Sequence, residues 1–314
     1  MDYDKSYKIS VIITIFNGEK TIAETLSSVL VSIKNARCAS NKVFDSEIIL
    51  VDDKSTDDSI EIVRNFISHS EEHCKFRILR NESNKGVAAS RYEGLLCARG
   101  NMIHILDQDD KVNPSFYIEV INNILEGTAI VVNGVVIDDY GKIIKKSTSH
   151  TIMRVCKSTM TRRLNRLETY VYGGNPITSP GSVVFSRSSI DDILFFYEVI
   201  TNLERCDGVD DGLLYPFLVN RGMRFRYIKR KLFAYRVHIS NQSSQLGRRK
   251  MHANSRKLMD ELFRHELIKK WQYDGMVARN TLMYGFYSRK GLKKLIWLLV
   301  NVDTVIKKII FMYI

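Results

Sequence analysis

The first 140 residues alternate short, uniformly apolar runs with segments of helical period, and this alternation constrains the fold more than any other feature of the chain. Lys8 to Ile15, Glu47 to Val51, Phe76 to Leu79 and Met102 to Leu106 read as strands. Between them lie segments of helical pattern: Ile22, Leu26, Val29, Leu30 and Ile33, then Ile60, Ile62, Val63, Phe66 and Ile67, then Val87 to Ala98. A run such as Ile48-Ile49-Leu50-Val51 has no polar face, so it must be covered on both sides, as strands of a parallel sheet are. The order β-α-β-α-β-α-β predicts a doubly wound α/β core, in which ligands bind beyond the carboxyl ends of the strands.

Further along, a hairpin is predicted over Ala129 to Ile144 with its turn at Asp139-Tyr140-Gly141, followed by a helical stretch over Ile152 to Tyr172. The uncharged loop Gly173 to Ser182 reads either as an ordinary surface loop or as a segment shaping a binding site. A strand at Val183 to Phe185, a helix over Asp210 to Asn220 and two short strands, Phe225 to Ile228 and Leu232 to Val237, complete the pattern. After Ser244 the alternation stops, and a domain boundary is placed there, with 245–314 helical.

Charge separates the two parts. The net charge is +12, but residues 245–314 hold 15 Lys and Arg against 5 Asp and Glu, so the body is nearly neutral and the tail basic. A nucleic-acid binder would line its recognition surface with that charge, so no nucleic-acid partner is expected. The five cysteines are odd in number and form no Cys-x-x-Cys pair, which argues against a disulfide framework or a zinc cluster. Met1 to Lys5 carries two acids where a signal peptide needs a basic segment; a cytoplasmic location is the expectation.

Three strand ends carry polar residues in a row: Thr14-Ile15-Phe16-Asn17, Asp52-Asp53-Lys54-Ser55-Thr56-Asp57, and Asp107-Gln108-Asp109-Asp110. Paired carboxylates repel, and are tolerated where a divalent cation or hydrogen-bond donors compensate them. Any one cluster also reads as a turn with helix caps. Three on successive carboxyl edges of one sheet favour a site.

These residues resemble glycosyltransferase family 2, whose fold is GT-A: a Rossmann-like, mostly parallel sheet flanked by helices. Ile9 to Asn17 is similar to its opening strand, Leu50 to Ser55 to its second, Asn81 to Gly86 with Arg91 to the loop before its third helix, and Asp107-Gln108-Asp109 to its Asp-x-Asp motif. The likeness continues through Asp210-Asp211, followed eleven residues later by Gly222, and through Tyr235-Arg236-Val237-His238. It implies an inverting glycosyltransferase that moves one sugar from a nucleotide-diphosphate sugar to a hydroxyl of a glycan or polyprenyl-linked acceptor, with a nucleotide-binding half near 1–110 and an acceptor half near 111–244. Thr14, Phe16, Asn17, Asp53, Gly86 and Arg91 would line the nucleotide pocket, and Asp107 would meet the ribose or the metal. Asp109 and His238 would hold a divalent cation, Mn or Mg, with imidazole suiting Mn better. Asp211 would be the general base, with Asp210 as the fallback; both also read as acids placed at a helix N-terminus. Thr14 departs from the family's frequent Pro, Lys54 from its frequent Gly, and Asp210 from its usual Glu.

In the tail, Leu292, Leu295, Ile296, Leu299, Val302, Ile306, Ile309, Ile310 and Tyr313 keep a helical period beside Lys293, Lys294, Lys307 and Lys308, with Asp303 on the apolar side. This suits a helix lying on an anionic membrane surface or one packed on the body. The alternative from another functional class is a catalytically inactive GT-A-like scaffold that docks through this tail.

Overall fold

A computed structural model describes residues 7–39, 44–70, 74–145, 160–203, 209–238, 245–288 and 299–313. Strands β1 (Tyr7–Ile15), β2 (Phe44–Asp52), β3 (Lys75–Arg80) and β4 (Met102–Asp107) are linked by helices α1 (Ile22–Ala39), α2 (Ser59–Ser68) and α3 (Val87–Cys97), as the alternation predicts. They lie parallel in the order β3-β2-β1-β4, and the sheet continues through β8 (Val183–Ser186), β6 (Thr128–Ile137), β9 (Arg224–Arg236) and β5 (Lys111–Val112). β8 runs antiparallel to both β4 and β6, whereas β6 and β9 are parallel, so β4, β6 and β9 end on the same edge. That edge collects Asp107, the 138–141 turn and Arg236.

The hairpin forms as expected, with β7 (Ile143–Lys145) antiparallel to β6. The two short strands predicted over 225–237 are instead one strand, β9, whose pairing with β6 slips where Ile228 lies opposite Val132 but Lys231 opposite Asn133. The charged run Lys229-Arg230-Lys231 is exposed at this irregularity, and a bulge lets it leave the ladder without ending the strand. Of the helical stretch predicted over 152–172, residues 152–159 lie outside the described residues; α5 (Met160–Leu164) and a π-helical turn (Thr169–Gly173) follow.

Each face of the sheet carries its own core, as fully apolar strands require. On one face Leu26, Val29 and Ile33 of α1, Val63 of α2 and Phe116, Tyr117 and Val120 of α4 (Phe116–Asn123) pack on Val11, Ile13, Ile48 and Leu50. On the other, Leu95 of α3, Ile193 and Phe196 of α6 (Ile190–Thr201) and Leu214 and Phe217 of α7 (Asp210–Asn220) pack on Ile12, Ile49 and Ile103. The change of pattern after Ser244 marks a change of structural class but not of packing. Leu258, Met259 and Leu262 of α8 (Gln245–Arg264) and Met276 of α9 (Lys270–Ser288) are buried in the second core. Arg279 of α9 donates to the Tyr170 carbonyl of the π-helical turn, and Gln272 Nε2 reaches Asn220 Oδ1 at the end of α7. Helix α10 (Val302–Tyr313) also lies against the π-helical turn. The tail positions Leu292, Leu295 and Ile296 lie outside the described residues, as do the side chains of Ile309, Ile310 and Tyr313. No helix among the described residues is long and apolar enough to cross a membrane.

Candidate active site

The loop after β1 is built by its neighbours on the sheet. The Gln108 side-chain amide accepts from the Phe16 N–H at 2.8 Å and donates to the Phe16 carbonyl at 2.9 Å, mimicking a strand pair. Phe16 itself stays 45% exposed, an aromatic face at the strand edge. Asn17 adopts φ 51°, and its side-chain oxygen accepts from the Thr56 N–H at 2.9 Å. Thr14, nearly buried, lies in register with Val51 and Asp107. Lys54 adopts φ 66°, the left-handed conformation that glycine takes without a Cβ penalty, so the family's frequent glycine at this position has a conformational reason.

Asp53 is a buried acceptor. Its Oδ1 takes hydrogen bonds from Asn81 Nδ2 and the Lys85 N–H, and its Oδ2 one from the Gly86 N–H, all at 2.8 Å. Gly86 has φ 92° at the start of α3, a turn that aims its N–H at the carboxylate. Three donors thus hold Asp53, leaving little of its hydrogen-bonding capacity free.

Arg91 holds a different pair of carboxylates. Buried on α3, it donates from Nη1 to Asp210 Oδ2 and from Nη2 to Asp107 Oδ1, each at 2.5 Å. Burial alone would favour its loss of charge, but the two carboxylates outweigh this and raise its pKa well above the usual value. The fork ties the end of β4 to the first turn of α7. Asp210 Oδ2 also accepts from Tyr197 Oη at 2.8 Å, so its carboxylate serves side chains of α3 and α6 and makes no side-chain cap to its own helix. Asp211, next in sequence, is partly buried and is free of ion pairs among the described residues. Burial, then the adjacent Asp210 charge, push its pKa up to about 7, a value suited to a general base near neutrality.

The acids of the Asp-x-Asp stretch diverge. Asp107 gives one oxygen to Arg91; burial raises its pKa in spite of that partner. Asp109 Oδ2 lies 2.8 Å from His238 Nε2, with both side chains partly exposed, and this hydrogen bond raises the imidazole pKa. Asp110 is fully buried, its Oδ1 accepting from the Arg236 N–H and its Oδ2 from Ser179 Oγ, each at 2.9 Å. Burial, with Asp109 and Asp107 nearby, holds its pKa well above the usual carboxylate range. The Gly173 to Ser182 segment is therefore no ordinary surface loop: Ser179, Pro180 and Gly181 are buried, and a Cβ on Gly181 would stand 2.7 Å from both Leu106 and Phe233.

Asp109 and His238 supply a carboxylate oxygen and an imidazole nitrogen, two Lewis bases that now share one hydrogen bond and fit a divalent cation in its place. Among the described residues no group of three or more His, Cys, Asp or Glu surrounds one metal point. A two-ligand protein site suits a cation that takes its remaining oxygens from a diphosphate and water. Sequence reasoning did not assign roles to Gln108, Ser179, Tyr197 or Arg236. Gln108 and Arg236 lie within the quoted motifs and Ser179 in the flagged loop, while Tyr197 falls in an unremarkable apolar helix and leaves no signal.

Over 122 residues the chain is 38% identical to the cholesterol galactosyltransferase of Borreliella burgdorferi, covering 39% of this chain and 30% of that protein. The curated relatives first matched are covered over 30% to 46% of their own length. Among solved structures, Staphylococcus aureus TarS residues 1–349 with UDP-GlcNAc superposes with a TM-score of 0.58 at 16% identity, covering 95% of this chain and 81% of that one. The mannosyltransferase PcManGT of Pyrobaculum calidifontis with GDP-Man and Mn2+ gives 0.56 at 14% identity, covering 99% and 86%. These likenesses establish the GT-A fold. The profile named Glycosyl transferase family 2 matches residues 10–194, more than half of the chain and every strand end described above up to Asp110, and the chain belongs to that family.

Proposed function

We propose that the protein is an inverting glycosyltransferase that moves one sugar from a nucleotide-diphosphate sugar to a hydroxyl of a glycan or polyprenyl-linked acceptor. The observation that carries this reading is the Arg91 fork, which fastens the strand end bearing Asp107 to the helix start bearing Asp211. The fork supports a donor site and a base that act together. Thr14, Phe16, Asn17, Asp53 and Gly86 form the nucleotide side, with exposed Phe16 available to stack on a base. Asp109 and His238 would hold Mn or Mg, which when bound neutralises charge on the departing diphosphate. Asp211 takes the proton of the attacking hydroxyl, and one base with in-line attack inverts the anomeric carbon. The complexes of UDP-GlcNAc with TarS and of GDP-Man and Mn2+ with PcManGT support a nucleotide-sugar donor and a cation here.

A cytoplasmic enzyme at the inner face of the membrane completes the proposal. Leu299, Val300, Val302 and Ile306 are 49% to 75% exposed in a strongly basic segment, as contact with anionic lipid requires. The test is a thermal-shift screen against UDP, GDP, dTDP and CMP with and without Mn, followed by transfer assays and NMR assignment of the product anomer. A metal-dependent shift and an inverted product support the reading. Absence of binding and of transfer across the panel points to the scaffold alternative.

A further inference from the structure

Arg236 is the most completely engaged cation near the candidate cation pair, and nothing in the proposed chemistry uses it. It is 1% exposed at the last position of β9. Nε donates to the Asp109 carbonyl at 2.8 Å, and Nη1 donates to the carbonyls of Asp138 and Asp139 at 3.1 and 3.0 Å. Nη2 pairs with the Glu24 carboxylate of α1, which also pairs with Lys111 of β5. The backbone N–H of Arg236 donates to Asp110 Oδ1, and Ser179 holds the other oxygen.

All three nitrogens of the fork are thus directed at segments flanking the Asp109–His238 pair. On one side Arg236 grips the main chain of Asp109 itself, and on the other it lies two residues before His238 on the same strand end. No lysine could reproduce this, because an ammonium is a single point of charge whereas guanidinium is a planar fork. Burying such a charge is costly, and the compensation here comes from the Asp109 loop, the 138–139 turn and the first turn of α1.

We infer that Arg236 is the positioning residue for the cation site, setting the separation of Asp109 and His238 by clamping the Asp109 peptide, the 138–139 turn and Glu24 to one guanidinium. This rests on the reading of Asp109 and His238 as the cation's protein ligands. Outer contacts that orient metal ligands commonly account for about 10- to 100-fold in metal affinity. The energy is expressed through geometry, since Arg236 offers no lone pair to a cation.

The test uses the full chain with Arg236→Lys and Glu24→Gln, each checked for cooperative melting. Mn affinity is measured by electron paramagnetic resonance and calorimetry in the presence of saturating UDP or GDP, whichever the unaltered protein binds, and transfer is followed across a Mn titration. Arg236→Lys is expected to weaken Mn binding by about 10- to 100-fold, and Glu24→Gln to weaken it in the same direction to a smaller extent. Turnover at saturating Mn recovers toward that of the unaltered protein, whereas a general structural defect lowers it at every Mn concentration. Should Arg236→Lys fail to fold, Glu24→Gln decides, because it keeps every carbonyl contact and loses only the charged anchor. Mn affinity within twofold of the unaltered protein in a folded variant overturns the inference while leaving the cation site intact. Failure of the unaltered protein to bind Mn with any nucleotide removes the cation reading and this inference together.

Discussion

Replacing Arg91 with Met removes a guanidinium of similar length from between two carboxylates and tests the bridge on which the site depends. The unaltered fork makes two 2.5 Å contacts, to Asp210, which is fully buried, and to Asp107, which is about a quarter exposed. Breaking a buried pair by removing one partner costs about 3–5 kcal/mol, because the remaining charge is stranded. Here two carboxylates are stranded facing each other, and Tyr197 can satisfy only Asp210. For a chain of this size such a loss lowers the melting temperature by on the order of 6–15 °C. Burial already raises the Asp107 pKa and losing the guanidinium raises it further, so protonation of Asp107 makes the deficit larger at pH 8 than at pH 5. Urea unfolding at the two pH values measures it. A loss below about 1 kcal/mol, or one independent of pH, would show that Arg91 is not the compensating charge.

Four other outcomes are expected. Asp211→Asn should leave donor affinity intact and lower turnover by about 10²- to 10⁴-fold, while the unaltered enzyme's rate should rise with pH through about 7 as Asp211 loses its proton; steady-state kinetics from pH 5 to 9 check both. Asp109→Ala should abolish the Mn dependence of nucleotide binding in a thermal-shift assay, and an unchanged dependence would move the cation elsewhere. Lys54→Gly should stabilise the fold by about 1 kcal/mol by relieving the left-handed backbone at φ 66°, read from the urea midpoint. A chain ending at residue 244 should fail to give soluble, cooperatively melting protein, since it strips Leu258, Met259, Leu262, Ile268, Met276 and Leu282 from the structure. At about 1.5–3 kcal/mol for each buried side chain, that exceeds the usual margin of stability.

The parallel half of the fold was legible because its strands, covered on both faces, cannot alternate, and Ile48-Ile49-Leu50-Val51 announces this without reference to anything distant. The single strand β9 was harder to read. Lys229-Arg230-Lys231 looks like a turn, and only pairing with β6 on one side carries the strand through it. Asp109 and His238 stand out in the sequence only through the family resemblance, and the structure brings them to 2.8 Å across 129 positions of sequence, a proximity no local pattern encodes. Arg91 shows the opposite difficulty. The resemblance gives it a place in the nucleotide pocket, and beside Asp107 of that same set it also reaches Asp210, a partner decided by where α7 begins, which depends on packing by Leu213, Leu214 and Phe217. The tail illustrates the same limit, since an amphipathic helical period reads alike whether its apolar side meets lipid or a protein core.

His104 gives the site an acid limit of its own. Fully buried in β4, its ring accepts from Tyr117 Oη at Nδ1, 3.0 Å away, and donates from Nε2 to the Gly181 carbonyl at 2.9 Å, an arrangement that requires the neutral imidazole. Burial lowers its pKa to about 4, against about 6.5 for the unfolded chain. The stabilisation this ring provides is complete above pH 6.5 and drains away as the medium is acidified toward pH 4, a difference on the order of 3 kcal/mol. A proton on Nδ1 ends its acceptance from the Tyr117 hydroxyl, which must turn to accept instead, while Nε2 keeps its bond to the Gly181 carbonyl. Acid thus places a charge inside the sheet at His104, at a pH below that at which His238 takes up its own proton.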